Sequence, residues 1–152
     1  MKKRFKSMIA LLLVSSVCLG CFGAGTVAFA RASYYIDYYH GYTTDYDANN
    51  VVTPGVIYVT YDMDGTRQMD IIGCTLILIQ EYNSATKKWT TVQSKIGTID
   101  NGMLDDNDWT HTGYKGFNVT SGRLYRAVVT FYAERDGGSD SRTVTTNSVT
   151  AP

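Results

Sequence analysis

The acidic side chains come first, because carboxylates at the right spacing bind metals or move protons. Asp105-Asp106-Asn107-Asp108, with Asp100 nearby, supplies the hard oxygen ligands that Ca²⁺ takes. The spacing is not that of a helix–loop–helix calcium site, and Asp and Asn serve equally well in polar turns. Asp62-x-Asp64-Gly65 repeats the pattern on a smaller scale. Asp105, Asp106 and Asp108 therefore stand as weak metal candidates, and no cofactor is expected. Glu81 and Glu134 are the only glutamates. Glycoside hydrolysis needs two carboxyls held roughly 5–10 Å apart across a cleft, and no sequence feature marks such a pair. His40 and His111 lack the G-x-S-x-G context of a hydrolase nucleophile. No catalytic residue is assigned.

The tyrosines are the second group. Tyr34, Tyr35, Tyr38, Tyr39, Tyr42 and Tyr46 place six of the 12 tyrosines within 13 residues. A phenol ring buries area at low entropic cost and carries a hydroxyl, which suits recognition of sugars or proteins. The bland alternative is packing on a half-buried sheet. A strand buries one of its two faces, so Tyr34 and Tyr38 should share one face and Tyr35 and Tyr39 the other. At least one pair then needs an outside explanation, and the segment 34–46 is the candidate binding element.

These residues follow an export signal. Lys2, Lys3, Arg4 and Lys6 precede an apolar run from Met8 to about Leu19, and Ala28-Phe29-Ala30 closes it as a small-x-small cleavage site. The run is shorter than the ~20 residues a spanning helix needs, so no transmembrane segment is expected after cleavage. Residues 1–30 are read as a signal peptide and 31–152 as one domain, secreted to the extracellular space. Cys21 offers a lipid-anchored alternative: Gly20 fits that pattern, but Cys18 stands where Leu is usual. The mature chain keeps Cys74 alone, so it is no disulfide scaffold. Ten basic residues against 14 acids leave it at −4, which argues against nucleic acid as a partner.

Nearly every periodic segment of 31–152 is rich in Val, Ile, Thr and Tyr, with Gly, Asn, Asp and Ser between. Seven strands are predicted: within Ser33–Tyr42, Gly55–Met63, Met69–Tyr82, Lys88–Ile96, about Tyr114–Val119, Leu124–Glu134 and Ser141–Val149. Asp64-Gly65 should turn the chain between the second and third, and Thr98–His111 should be irregular. The third strand is apolar on both faces over Ile71–Ile79, so its inward face is open. The sixth alternates cleanly, with Tyr125, Ala127, Val129, Phe131 and Ala133 on one face. Seven such strands predict an all-β, antiparallel immunoglobulin-like sandwich.

Val119-Thr120-Ser121-Gly122-Arg123-Leu124-Tyr125 resembles the corner of fibronectin type III domains, where a Tyr follows a Gly turn and returns its hydroxyl to upstream backbone. The proline common at that corner is missing. More broadly, Ile79-Gln80-Glu81-Tyr82, Lys88-Trp89-Thr90-Thr91-Val92 and Gly122-Arg123-Leu124-Tyr125-Arg126-Ala127 resemble a family of small exported proteins of Gram-positive bacteria, of unknown function. The resemblance implies an immunoglobulin or fibronectin type III-like sandwich and structural roles for Tyr125, Trp89 and Gly122, and it carries no active site. The expected function is a non-enzymatic extracellular binding or surface-structural module for glycan, cell wall or protein. A small secreted hydrolase or hydrolase inhibitor is the alternative.

Overall fold

The computed structural model describes residues 35–152. The expected signal peptide, 1–30 with Cys21, and Tyr34 lie outside them. Six strands follow in order: β1 (Ile36–Thr44), β2 (Val56–Asn83), β3 (Lys88–Ile96), β4 (Leu104–Asn118), β5 (Leu124–Arg135) and β6 (Gly138–Thr150). All pairings are antiparallel, and the strands join in one sheet.

The strand that organises the sheet is β2. Its 28 residues would run about 90 Å if straight, against a radius of gyration of about 14 Å expected for a domain of this size. It must bend, and the bend divides the sheet into two arms. In the first arm, residues 56–65 of β2 lie between β1 and the end of β4. In the second, residues 71–81 pair with β5 on one edge, while the other edge meets the start of β4 at residues 71–73 and β3 at residues 76–83, with β6 outside β5. The expected turn at Asp64-Gly65 is thus a continuation: the pairing with β4 shifts register between Asp64 and Met69 and then resumes. Two predicted strands are one, which makes six strands rather than seven.

Gly73 marks the far side of the bend. Its φ is +143°, and a Cβ there would strike the Met103 carbonyl, so only glycine fits. The Cys74 N–H donates to that same carbonyl at 2.7 Å. Just beyond, the β5 pairing shifts register between Cys74 and Leu76. Burial changes phase there, from Ile72 and Cys74 to Ile77 and Ile79. A bulge of this kind explains why alternation alone left the inward face of Ile71–Ile79 unassigned.

Both arms turn apolar residues into one core. Ile57, Val59, Tyr61 and Met63 come from the first arm. Ile77 and Ile79 of β2, with Tyr125, Ala127, Val129, Phe131 and Ala133 of β5, come from the second. Of the two faces that the β5 alternation separates, this is the buried one. The β5–β6 hairpin closes through Asp136 and Gly137, both left-handed at φ 51° and 75°, as a two-residue hairpin loop requires.

Side chains of β6 also secure the free edge of β1. Asp140 accepts from the Tyr35 N–H at 3.0 Å. The Asn147 amide accepts from the Thr43 N–H at 2.9 Å and donates to the Thr43 carbonyl at 2.8 Å. Two points of an otherwise open edge thereby gain partners, which holds the tyrosine-bearing strand in place.

Candidate binding face

The first arm has an inner and an outer face, and its tyrosines divide between them. Ile57, Val59, Tyr61 and Met63 of β2 point into the core, so Tyr58, Thr60, Asp62 and Asp64 point out. The pairing sets three rows across this outer face. Tyr38 and Thr110 flank Asp64, His40 and Thr112 flank Asp62, and Tyr42 and Tyr114 flank Thr60. In the next row Tyr58 flanks Gly116, and its ring lies 6.5 Å from that of Tyr114. The His40 and Tyr42 rings are 5.5 Å apart. Tyr38 and Tyr114 are about half exposed, at 47% and 49%.

Two carboxylates sit among these rings. His40 Nδ1 is 3.7 Å from Asp62. The Tyr38 phenol is held above its ordinary pKa, first by loss of hydration and then by the negative charges of Asp62 and Asp64. A hydrogen bond to Asp62 adds to the effect. The outward positions of β1, of β2 over 58–64 and of β4 over 110–116 carry no lysine and no arginine; Arg67 lies further along β2.

The remaining tyrosines of the candidate segment lie elsewhere. Tyr39 leans inward, its ring 5.5 Å from that of Phe131. Tyr35 is partly buried against the core. Tyr46 is exposed in the loop after β1, bridged to Val52. Sequence reasoning singled out Tyr38 and Tyr42 but missed Tyr58, Tyr114 and His40 as their neighbours. Strand register brings these together, and no local pattern displays it.

The Asp-rich segment is not an irregular loop. Asp105, Asp106 and Asp108 belong to β4, opposite Ile72, Ile71 and Met69. A strand exposed along most of this stretch has no apolar period to betray it. Asp108 accepts from the Trp109 N–H at 2.6 Å, and Asp105 pairs with His111. Among the described residues no three His, Cys, Asp or Glu side chains are grouped to hold a metal ion.

The Asp105–His111 pair is 2.7 Å long between Oδ2 and Nδ1, with His111 only 3% exposed. The ring stacks on Tyr61 at 5.7 Å and 19°. Among the described residues neither His111 Nε2 nor the Tyr61 hydroxyl has a hydrogen-bond partner, so no serine or thiol among them joins the histidine. Burial raises the Tyr61 phenol above its ordinary pKa, with smaller contributions from Cys74 and Asp105. Burial also pushes the Cys74 thiol up to about 12.

At the other end of the core, Tyr125 ties the β4–β5 turn to β2. Its hydroxyl accepts from the Thr120 N–H at 3.2 Å and donates to Glu81 at 3.0 Å. Arg123 holds the other Glu81 oxygen at 2.6 Å. Gly122 occupies the turn with φ 78°. Trp89 packs under the Arg126 guanidinium, 4.3 Å from the ring centre, and beside Tyr82. A shallow cavity of about 280 Å³ lies here, lined by Glu81, Val92, Gln93, Asn118 and Tyr125 among others.

No family model matches the chain, and no curated protein matches it. Among solved structures, the ApaA protein of Bordetella pertussis is similar over 79% of this chain and 96% of its own, at 12% identity and a TM-score of 0.44. A family 76 glycoside hydrolase from a bovine Bacteroides thetaiotaomicron strain is similar over 74% of this chain, at 18% identity and a TM-score of 0.31. The chain spans 20% of that hydrolase. Among the described residues no helix is long and apolar enough to cross a membrane.

Proposed function

We propose that this chain is a non-enzymatic recognition module exported to the extracellular space, and that it binds through the outer face of its first arm. One observation carries the reading: Tyr38, Tyr42, Tyr58, Tyr114 and His40 present their rings on one solvent-facing side of three strands. Large apolar rings exposed together mark binding surfaces more often than ordinary protein exterior. The export segment 1–30 supports the location. The arms sharing one core, and the Tyr125 hydroxyl returning to the Thr120 N–H, support an immunoglobulin or fibronectin type III-like sandwich as the scaffold.

The test is an array of glycans, cell-wall preparations and extracellular proteins probed with the purified protein and with its Tyr42→Ala, Tyr114→Ala double variant. Binding that the double variant loses, with its thermal unfolding unchanged, supports the face. Binding retained by the variant moves recognition elsewhere.

A further inference from the structure

Resting on that reading, we infer that the face takes an uncharged polysaccharide chain rather than a charged polymer or a small cation. The first argument is electrostatic. The outward positions of β1, of β2 over 58–64 and of β4 over 110–116 include Asp62 and Asp64 and no lysine or arginine. A polyanion such as a uronate chain, a teichoic acid or a nucleic acid would meet like charge there. Its phosphates or carboxylates would find no guanidinium or ammonium partner.

The second argument is shape. Quaternary ammonium groups are held where several rings converge on one point. Here the rings are spread. Tyr42 and Tyr114 lie two strand spacings apart, roughly 10 Å, and Tyr38 and Tyr42 lie four residues apart, roughly 13 Å. That is a shelf for an extended chain, on which the C–H faces of successive sugar rings rest against successive phenols.

The third argument is the polar groups between the rings. Thr60, Thr112, Asp62 and Asp64 occupy the rows beside Tyr42, His40 and Tyr38. Hydroxyls and carboxylates accept hydrogen bonds, and sugar hydroxyls supply the donors. Asp62 already has the Tyr38 phenol as a hydrogen-bond partner and His40 Nδ1 3.7 Å away, so it stands within the row of rings rather than in a cluster of carboxylates. Three requirements of a neutral glycan are thereby met on one face: flat apolar rests, acceptors between them and no basic group.

The experiment is pull-down of the purified protein on insoluble cellulose, chitin and mannan, beside polygalacturonate and polylysine columns. The whole set is repeated at 0.05 and 0.5 M salt with wild type, Tyr42→Ala, Tyr114→Ala and Asp62→Asn. Retention on at least one neutral polysaccharide, nearly independent of salt, is expected. Each Tyr variant should weaken it about tenfold or more, with unchanged thermal unfolding. Retention on polylysine alone, released by salt and abolished by Asp62→Asn, would overturn the glycan and leave the face standing as a cation-binding surface. No retention on any neutral polysaccharide also overturns the glycan. Retention indifferent to both Tyr variants overturns the face itself, and with it the functional reading above.

Discussion

The tyrosines outside the first arm and those inside the molecule obey opposite rules. Inside, Tyr61 and Tyr125 are both essentially fully buried, yet their hydroxyls fare differently. Tyr125 has two partners, the Thr120 N–H and Glu81. Tyr61 has none. Outside, Tyr38, Tyr42 and Tyr114 keep their hydroxyls near water and leave ring surface uncovered. The same side chain thus acts as a tie at one position, as buried ring area at a second, and as exposed binding surface at a third. Removing an oxygen or a ring at each position should separate these roles.

The largest effect belongs to the tie. Tyr125→Phe keeps the ring but strips two hydrogen bonds, leaving the Thr120 N–H and a Glu81 oxygen short of partners. A buried group so orphaned costs ~1–3 kcal/mol. Urea unfolding should show a lower midpoint with an unchanged slope. A loss under ~0.3 kcal/mol would mean that water replaces the hydroxyl at no cost, and the tie would be broken as an idea.

Tyr61→Phe should have the opposite sign. Its hydroxyl is buried without a partner, and removing such a group relieves about 1 kcal/mol of desolvation. The variant should unfold at a higher urea concentration than wild type. A destabilised Tyr61→Phe would show that the hydroxyl is satisfied after all.

Alkali should set the buried groups apart from the exposed ones. The Cys74 thiol, ordinarily near 9.0, is pushed up to about 12 in the fold, and Tyr61 is raised too. Below pH 9 both states hold the thiol proton, so its contribution to stability is complete. Between pH 9 and about 12 the unfolded chain ionises and the folded one does not, so stability falls as pH rises. Stability plotted against pH should decline less steeply over that window in Cys74→Ala than in wild type. Equal slopes would place the proton loss elsewhere.

Much of this architecture was legible in the sequence, and the gaps have physical causes. The bounds of β3, Lys88–Ile96, were legible from its residue types, and the two faces of β5 from its alternation, which runs unbroken from Tyr125 to Ala133. The join within β2 was not, because Asp64-Gly65 has the composition of a turn, while the strand pairs with β1 as far as Gly65 and with β4 as far as Asp64 and again from Met69. Residues 104–113 of β4 were missed because a strand exposed along most of its length carries no apolar period. The binding face was half legible. Tyr38 and Tyr42 stand out as a local cluster, but Tyr58 and Tyr114 join them only through strand pairing, Thr60 standing between Tyr42 of β1 and Tyr114 of β4. Such register is a property of the folded sheet.

The smallest effects on stability should come from the exposed rings, and two neighbours sharpen the contrast. Tyr38 and Tyr39 are adjacent in β1. Tyr38 faces out beside Asp62 and Asp64, whereas Tyr39 rests on Phe131. Tyr38→Ser should change the unfolding free energy by no more than ~0.5 kcal/mol, as for surface positions without buried contacts. Tyr39→Ser uncovers part of the Phe131 ring and forgoes an aromatic pair worth ~0.5–1.5 kcal/mol beyond its buried area, so it should cost clearly more. Tyr42→Ser and Tyr114→Ser should behave like Tyr38→Ser. If all four cost alike, above ~1 kcal/mol, the outer rings hold the arm together and are packing rather than surface. A face that tolerates Ser at three ring positions has its rings free for a ligand.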